Sequence, residues 1–356
     1  MKGNAGPGRG SASRGSASRW SAALALATIA TLATACGLVG DDGFPPWLSY
    51  AESGASMAAA ASEAGIGGLR SISRLEYVPF VSAGGIGEAL VVAYLLGEEG
   101  EALVALDPTT MLVRKAWKRA SIPPLDGIGH NVKGTSVGFL SGRLEFDPAD
   151  LDAAPLAIPT GAPPENGRIF TSGPAGGNYL IARDDSIPGE YRLAVSSFSP
   201  AYLPLGSSPP RALDSANTYF EIVDAEYLDP WFRVLVVTGS GGSSESRGYV
   251  VSFQSEAAML GPDPLLEDAD AQVTGPFPMG GRLGWLTVDG VVALSYGDRT
   301  RLARYGYGYP LALLDEVACG DGQDYSFLSF DPGGAWWFLH DRLRGRAYKL
   351  RTWWRP

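Results

Sequence analysis

The chain has 356 residues, and its 47 Gly and 26 Pro make up about a fifth of it, well above the ~12% of average usage. Both residues are poor inside helices, so a long-helix architecture is excluded; 45% hydrophobic residues supply a large core and exclude wholesale disorder. The formal net charge of −10 argues against a nucleic-acid partner.

Residues 1–19 carry Lys2, Arg9, Arg14 and Arg19 and no acid, and Trp20–Ala35 continues, after its Trp, in Ala, Leu, Thr, Ser and Ile. A positive region, a short apolar region and small residues before a cut describe a signal peptide over 1–35. The apolar stretch is shorter than the ~20 residues of a membrane-spanning helix. Its ending, Leu32-Ala33-Thr34-Ala35-Cys36, resembles the lipobox of bacterial lipoproteins. That resemblance implies cleavage before Cys36 and lipidation there, palmitate included. It also implies a membrane-attached place in the cell envelope, at the outer membrane or the periplasmic face rather than in the cytoplasm. Gly37 in place of Asp points to the outer membrane by the enterobacterial sorting rule. Losing four cations takes the formal charge from −10 to −14. Anionic headgroups repel such a surface, so the acyl chains must do the anchoring. The other cysteine, Cys319, has no partner for an intramolecular disulfide once Cys36 is lipidated, and reads as a small core residue.

Residues 36–66 read as a lipidated tether followed by a short helix, placed over the Ala-rich 47–64 behind Pro45-Pro46. From 67 to 356 the pattern changes to short apolar runs: Ala89–Leu96, Ala102–Leu106, Tyr191–Phe198, Val234–Thr238, Tyr249–Phe253, Val291–Tyr296 and Trp336–Leu339. Gly, Pro, Asp and Ser punctuate them, which is the pattern of an all-β domain. Asp298–Tyr305 matches Asp341–Tyr348 at four of eight positions with an offset of 43, and Leu106-Asp107-Pro108 matches Phe146-Asp147-Pro148 with an offset of 40. Both offsets suit a four-stranded propeller blade of ~40–45 residues. The segment Glu101–Trp117, with Asp107 at its turn, resembles a quinoprotein-type repeat, although Met111 stands where that repeat has Gly. The segment Asp331–Arg346 resembles an NHL-type repeat, with Asp341 and Arg346 each one position late. In those families the matched residues set turns and tie strands. The expected fold is therefore a β-propeller of six four-stranded blades, with seven as the alternative count. The ring is expected to close between a strand near Leu69–Phe80 and the last blade.

Chemistry-bearing motifs are sparse. Gly134-Thr135-Ser136-Val137-Gly138 fits G-x-S-x-G, but the residues after it read as strand, where a nucleophile elbow needs a helix. The two histidines, His130 and His340, have no metal-ligand spacing and read as surface or turn residues. Asp321-Gly322-Gln323-Asp324 lacks the closing Glu of a calcium loop, and Gly84-Gly85-Ile86-Gly87 lacks a following helix for a dinucleotide. No cofactor and no metal are expected. Trp336 and Phe338 should share one strand face and Trp337 the other, as packing between blades requires. Tyr305, Tyr307 and Tyr309 alternate with glycines, and with Trp353 and Trp354 they form the candidate recognition surface.

The expected function is a lipid-anchored envelope propeller that binds a protein or glycan without catalysis. The alternative is an envelope polysaccharide hydrolase or lyase with carboxylates at the channel. Paired acids of raised pKa at the channel mouth would favour the enzyme; a wall of Gly, Ser and aliphatic residues would favour binding.

Overall fold

The computed structural model describes residues 46–355 except 79–80, 83–84, 87–89, 119–127, 134–135, 142–143, 160–168, 174–176, 217–218, 240–245, 281–282, 295–300, 309–310 and 319–327. The stretch 1–35 read as a signal peptide, Cys36, Tyr309, Cys319 and Asp321–Asp324 lie outside the described residues. A 3-10 turn at Pro46–Tyr50 leads into β1 (Ala51–Ser56) and a helix at Met57–Glu63. The first sheet follows: β2 (Leu69–Val78), an inserted ribbon of β3 (Val81–Ser82) and β4 (Gly85–Ile86), then β5 (Leu90–Gly97), β6 (Gly100–Leu106) and β7 (Val113–Lys118). The next sheet holds β8 (Ile128–Lys133), β9 (Ser136–Ser141), β10 (Leu144–Phe146) and β11 (Leu156–Ala157). The third holds β12 (Ile169–Ser172), β13 (Asn178–Asp184), β14 (Arg192–Phe198), β15 (Pro204–Ser207) and β16 (Arg211–Ala212). Then come β17 (Phe220–Leu228), β18 (Trp231–Thr238), β19 (Arg247–Phe253), a helical turn at Glu256–Met259, and β20 (Ala271–Pro278). The last strands are β21 (Gly284–Thr287), β22 (Gly290–Leu294), β23 (Arg301–Tyr305) and β24 (Leu313–Ala318), then β25 (Leu328–Phe330), β26 (Trp336–Asp341) and β27 (Arg346–Arg351).

Each larger sheet is an antiparallel meander of consecutive strands. The leading strands touch in the order β2, β8, β12, β17, β21, β25, and β25 returns to β2. A closed ring of first strands, with later strands stepping outward, is a β-propeller. The expected count is corrected: five sheets have four strands, and the remaining one has five because β16 adds itself to β14 beside β15. Arg211 of this added strand is tied to the next sheet: its guanidinium donates to the Asp263 and Ala258 carbonyls and pairs with Asp268, all in the connection between β19 and β20.

Ring closure also differs from expectation. The strand that completes the last sheet is β1, which pairs with β27 from within the stretch read as helix. Gly54 permits it: a Cβ there would lie 2.7 Å from the Tyr348 ring and 3.1 Å from the Ala347 carbonyl. The chain becomes helical only after Ser56, whose hydroxyl accepts the Ala59 N–H at 3.3 Å as an N-cap.

The core lies between sheets. Ile72, Val91, Val104 and Met111 pack with the Ala-rich helix and with Phe338 and Ala347 of the last sheet. Phe232 and Val234 face Tyr179 and Val195, while Leu235 and Val237 face Leu286 and Val291. This two-faced burial explains why central strands such as β5 and β18 are apolar at successive positions. Met111 takes φ 60, the backbone region in which glycine is at ease, yet its side chain is fully buried. His340 is buried within β26 rather than in a surface turn, because the strand runs one residue past it to Asp341. Asp341 then accepts the Leu343 and Arg344 N–H groups of the hairpin.

Candidate functional site

The first strands of a propeller line its central channel, and their ends form the channel mouth. Glu76 is third from the end of β2, Glu226 third from the end of β17, and Asp331 directly follows β25. Asp224 lies two residues before Glu226, on the same face of β17. In the ring, β17 stands opposite β2, with β21 between β17 and β25. The charges of Asp224, Asp331 and Glu76 all act on Glu226, so these four carboxyl groups converge from separate sheets at one end of the channel.

Backbone contacts fix this end. The Leu286 N–H of β21 donates to Asp224 Oδ2 at 2.7 Å, and the Ala225 N–H donates to Oδ1 at 2.9 Å. The Val288 N–H donates to the Pro332 carbonyl at 2.8 Å, and the Tyr77 N–H donates to Ser329 Oγ at 2.9 Å. Asp331 accepts the Gly333 N–H at 2.8 Å and the Ala335 N–H at 3.4 Å, which shapes its Asp-Pro turn.

Burial acts on three of these acids to different degrees. Burial raises the Asp224 carboxyl to about 6, against the opposing pull of its two backbone donors. Burial raises Glu226 well above the usual carboxylate range, and the neighbouring Asp224, Asp331 and Glu76 charges add to it. Asp331 is also raised by burial, with Gly333 and Ala335 N–H groups opposing. Asp224 and Glu226 keep some accessible surface although protein atoms surround them, as befits the wall of a narrow channel. Asp224, held by two amides, is prepared for the ionised state. Glu226, with no hydrogen bond from the described residues, is prepared for the protonated one. Two neighbouring carboxyl groups with unequal hydrogen-bond support can divide the roles of acid and base within one site. Among the described residues, no group of three or more His, Cys, Asp or Glu is placed to hold a metal ion.

Tyr307 closes one side. Its hydroxyl donates to the Thr287 carbonyl at 2.6 Å, and burial first, then the Asp224 and Glu226 charges, raise its phenol. Arg233 lies over its ring, 3.9 Å from the centroid. The other sequence candidates sit elsewhere. Tyr305 is buried against Phe277 and donates to the Pro278 carbonyl. Trp353 and Trp354 are half-buried beside Phe330, and they donate to Asp315 and Asp289 respectively. Ser136 lies on β9, a strand as expected. The structure thus brings Tyr307 to the channel mouth and does not bring Tyr305, Trp353 or Trp354 there.

Sequence reasoning missed Glu76, Asp224, Glu226, Asp331 and Arg233. One signal was present: Phe220–Leu228 holds Glu221, Asp224 and Glu226 in an otherwise apolar strand, and acids are depleted from strands.

No protein-family model and no curated protein sequence matches the chain. Among solved structures, the β-propeller domain of Cps50 (Swd1) from Myceliophteria thermophila aligns at 10% identity over 80% of this chain and 99% of that one, with a TM-score of 0.41. The catalytic domain of a GH62 α-L-arabinofuranosidase from Coprinopsis cinerea aligns at 16% identity over 79% and 92%, with a TM-score of 0.34. Cobalt-substituted ACO from Synechocystis aligns at 9% identity over 86% and 72%, with a TM-score of 0.30. Scores of this size do not establish a common fold; the propeller architecture rests on the ring of first strands.

Proposed function

We propose that the channel mouth is a general acid–base site acting on glycosidic bonds, in a protein held at the cell envelope by a lipid on Cys36. One observation carries the catalytic part: Glu226, whose carboxyl burial pushes upward, shares a strand face with Asp224, which accepts two backbone N–H groups. Glycoside cleavage requires one carboxyl group to protonate the leaving oxygen and a second, ionised one to act as base or nucleophile. Glu226 takes the first role and Asp224 the second. Burial first, then the Asp224, Asp331 and Glu76 charges, shift Glu226 toward its protonated form. Tyr307 walls the site and helps exclude water. The anchoring part is supported by the sequence Leu32–Cys36 and by the acidic body that follows it.

The test is reducing-end release by the purified protein from a panel of neutral and acidic polysaccharides. Glu226→Gln should lower release at least ~100-fold, the range for loss of a general acid. Absence of release from every polysaccharide, or unchanged release in Glu226→Gln, overturns the catalytic reading. For the anchor, Cys36→Ala should leave the protein soluble or unprocessed; normal processing with unchanged membrane association overturns it.

A second reading is a non-catalytic binding or scaffold protein. It is supported by the outer strands β15 and β24, where Leu205, Leu313 and Leu314 are 69%, 54% and 50% exposed. Capture of an envelope protein that Leu205→Asp and Leu313→Asp together abolish, with no glycan cleaved, would establish it over the first.

A further inference from the structure

Beside the carboxylate pair lies a buried cation with no ion pair among the described residues. Along β18, Phe232 and Val234 face the β12–β16 sheet, while Leu235 faces β21 and β22. Arg233 shares the face of Leu235 by alternation. It is register partner to Glu226 across the β17–β18 pair, and directly opposed residues share a face. Its guanidinium carbon is 3.9 Å from the Tyr307 ring centroid and 5.9 Å from that of Trp231. Arg233 is 9% exposed, and its Nε is buried without a partner. No described acid pairs with it, in contrast to Arg183 with Glu221, Arg211 with Asp268 and Arg304 with Asp315. Glu226 stands directly opposite it in the register, but among the described residues no ion pair joins the two.

Burial acts against the Arg233 charge. A buried cation left without a counter-ion weakens a fold, and an apolar residue of similar size would serve packing as well or better. Packing therefore gives no reason for a guanidinium here. A ligand does. Two aromatic rings lie beside the guanidinium, and its Nε edge finds no acceptor among the described residues. That edge matches a planar oxyanion with two parallel hydrogen bonds. Glu226 and Asp224 share this face of the β17–β18 pair, which disfavours a phosphate dianion more than a singly charged group.

We infer that Arg233 is the receptor for a carboxylate on the substrate, and that the channel mouth takes an acidic, uronate-bearing glycan. This inference rests on the acid–base reading of Glu226 and Asp224 for its catalytic context, not for the binding itself. The carboxylate docks on Arg233, one strand away from the proton donor, and so sets the sugar whose glycosidic oxygen meets Glu226.

The test separates binding from cleavage. Titration calorimetry is run on Glu226→Gln, in which cleavage is silenced, with a hexuronate trisaccharide and its methyl ester. The acid should bind at least ~10-fold more tightly than the ester, the scale of a charge-assisted pair. Adding Arg233→Gln should erase that preference, and adding Arg233→Lys should keep part of it. Thermal melts of each variant confirm that the fold is retained; if the Gln change unfolds the chain, Arg233→Met replaces it. Equal affinity for acid and ester, a preference that survives loss of Arg233, or no binding of either sugar overturns the inference. Glu226-dependent cleavage of a neutral glycan without the acid preference would overturn this inference alone. An Arg233-dependent preference with no glycan cleaved would overturn the catalytic reading alone.

Discussion

Two arginines lie deep in this propeller and are treated in opposite ways. Arg211, 1% exposed, is fully occupied: Nε donates to the Asp263 carbonyl at 2.8 Å, Nη1 to the Ala258 carbonyl at 2.9 Å, and Nη2 pairs with Asp268. Arg233, 9% exposed, lies between aromatic rings and makes no ion pair among the described residues. Arg211 sits in an outer region, where β16 meets the loop after the Glu256–Met259 helix. Arg233 sits by the channel mouth. The fold satisfies a buried charge that it uses for itself and leaves unsatisfied one reserved for something else.

The largest effect should come from breaking the satisfied member. Arg211→Ala leaves Asp268 and two carbonyls without their donor, and should cost about 3–5 kcal/mol in urea unfolding. A cost below ~1 kcal/mol would remove the contrast. A surface case should fall lower. Asp289 accepts from Trp354 Nε1 at 3.2 Å and from Arg355 Nε at 3.0 Å, which ties the chain's last turn to the β21–β22 hairpin. Arg355 is 41% exposed on its side chain, so Asp289→Ala should cost only about 1 kcal/mol.

The channel mouth should show itself through pH. Asp224 titrates at about 6 in the folded chain against ~3.9 unfolded. Between those values the folded chain keeps a proton that the unfolded chain has released. Stability therefore falls as pH rises from about 4 to 6, by at most ~1.4 kcal/mol per pH unit for this group, and levels off above. Asp224→Asn should remove this part of the slope in pH-dependent thermal melts. The raised Glu226 should retain its own decline, from ~4.3 upward. Cleavage should rise through about pH 6 as Asp224 ionises, and fall again once Glu226 loses its proton. The smallest effect on stability belongs to Arg233→Met, within about 1 kcal/mol or stabilising, measured beside Arg211→Ala in the same urea series. A large loss there would make Arg233 a structural residue like its counterpart.

Much of the fold was legible because strand burial has a local signature. The runs Ala102–Leu106, Val234–Thr238 and Tyr249–Phe253 fall within β6, β18 and β19. The alternation Trp336-Trp337-Phe338 also placed residues on opposite faces as expected: Phe338 packs with Val91 and the helix, while Trp337 stacks on Phe330. Ring closure was not legible, since β1 is short, rich in Ser and Gly, and gains its hydrogen bonds only from the free edge of β27. The acid site was not legible either. Glu76, Glu226 and Asp331 are separated by 105 residues or more, and only ring closure makes them neighbours.

By itself, the sequence determined an all-β chain of short apolar strands cut by Gly, Pro and Asp turns, and an acidic body behind a candidate lipidation signal. Those properties depend on near neighbours along the chain. The tertiary structure alone decided which strand closes the ring, which acids face one another, and that Arg233 is buried without an ion pair among the described residues. Burial and charge proximity are properties of the assembled ring, and they act between residues whose spacing in sequence carries no trace of it.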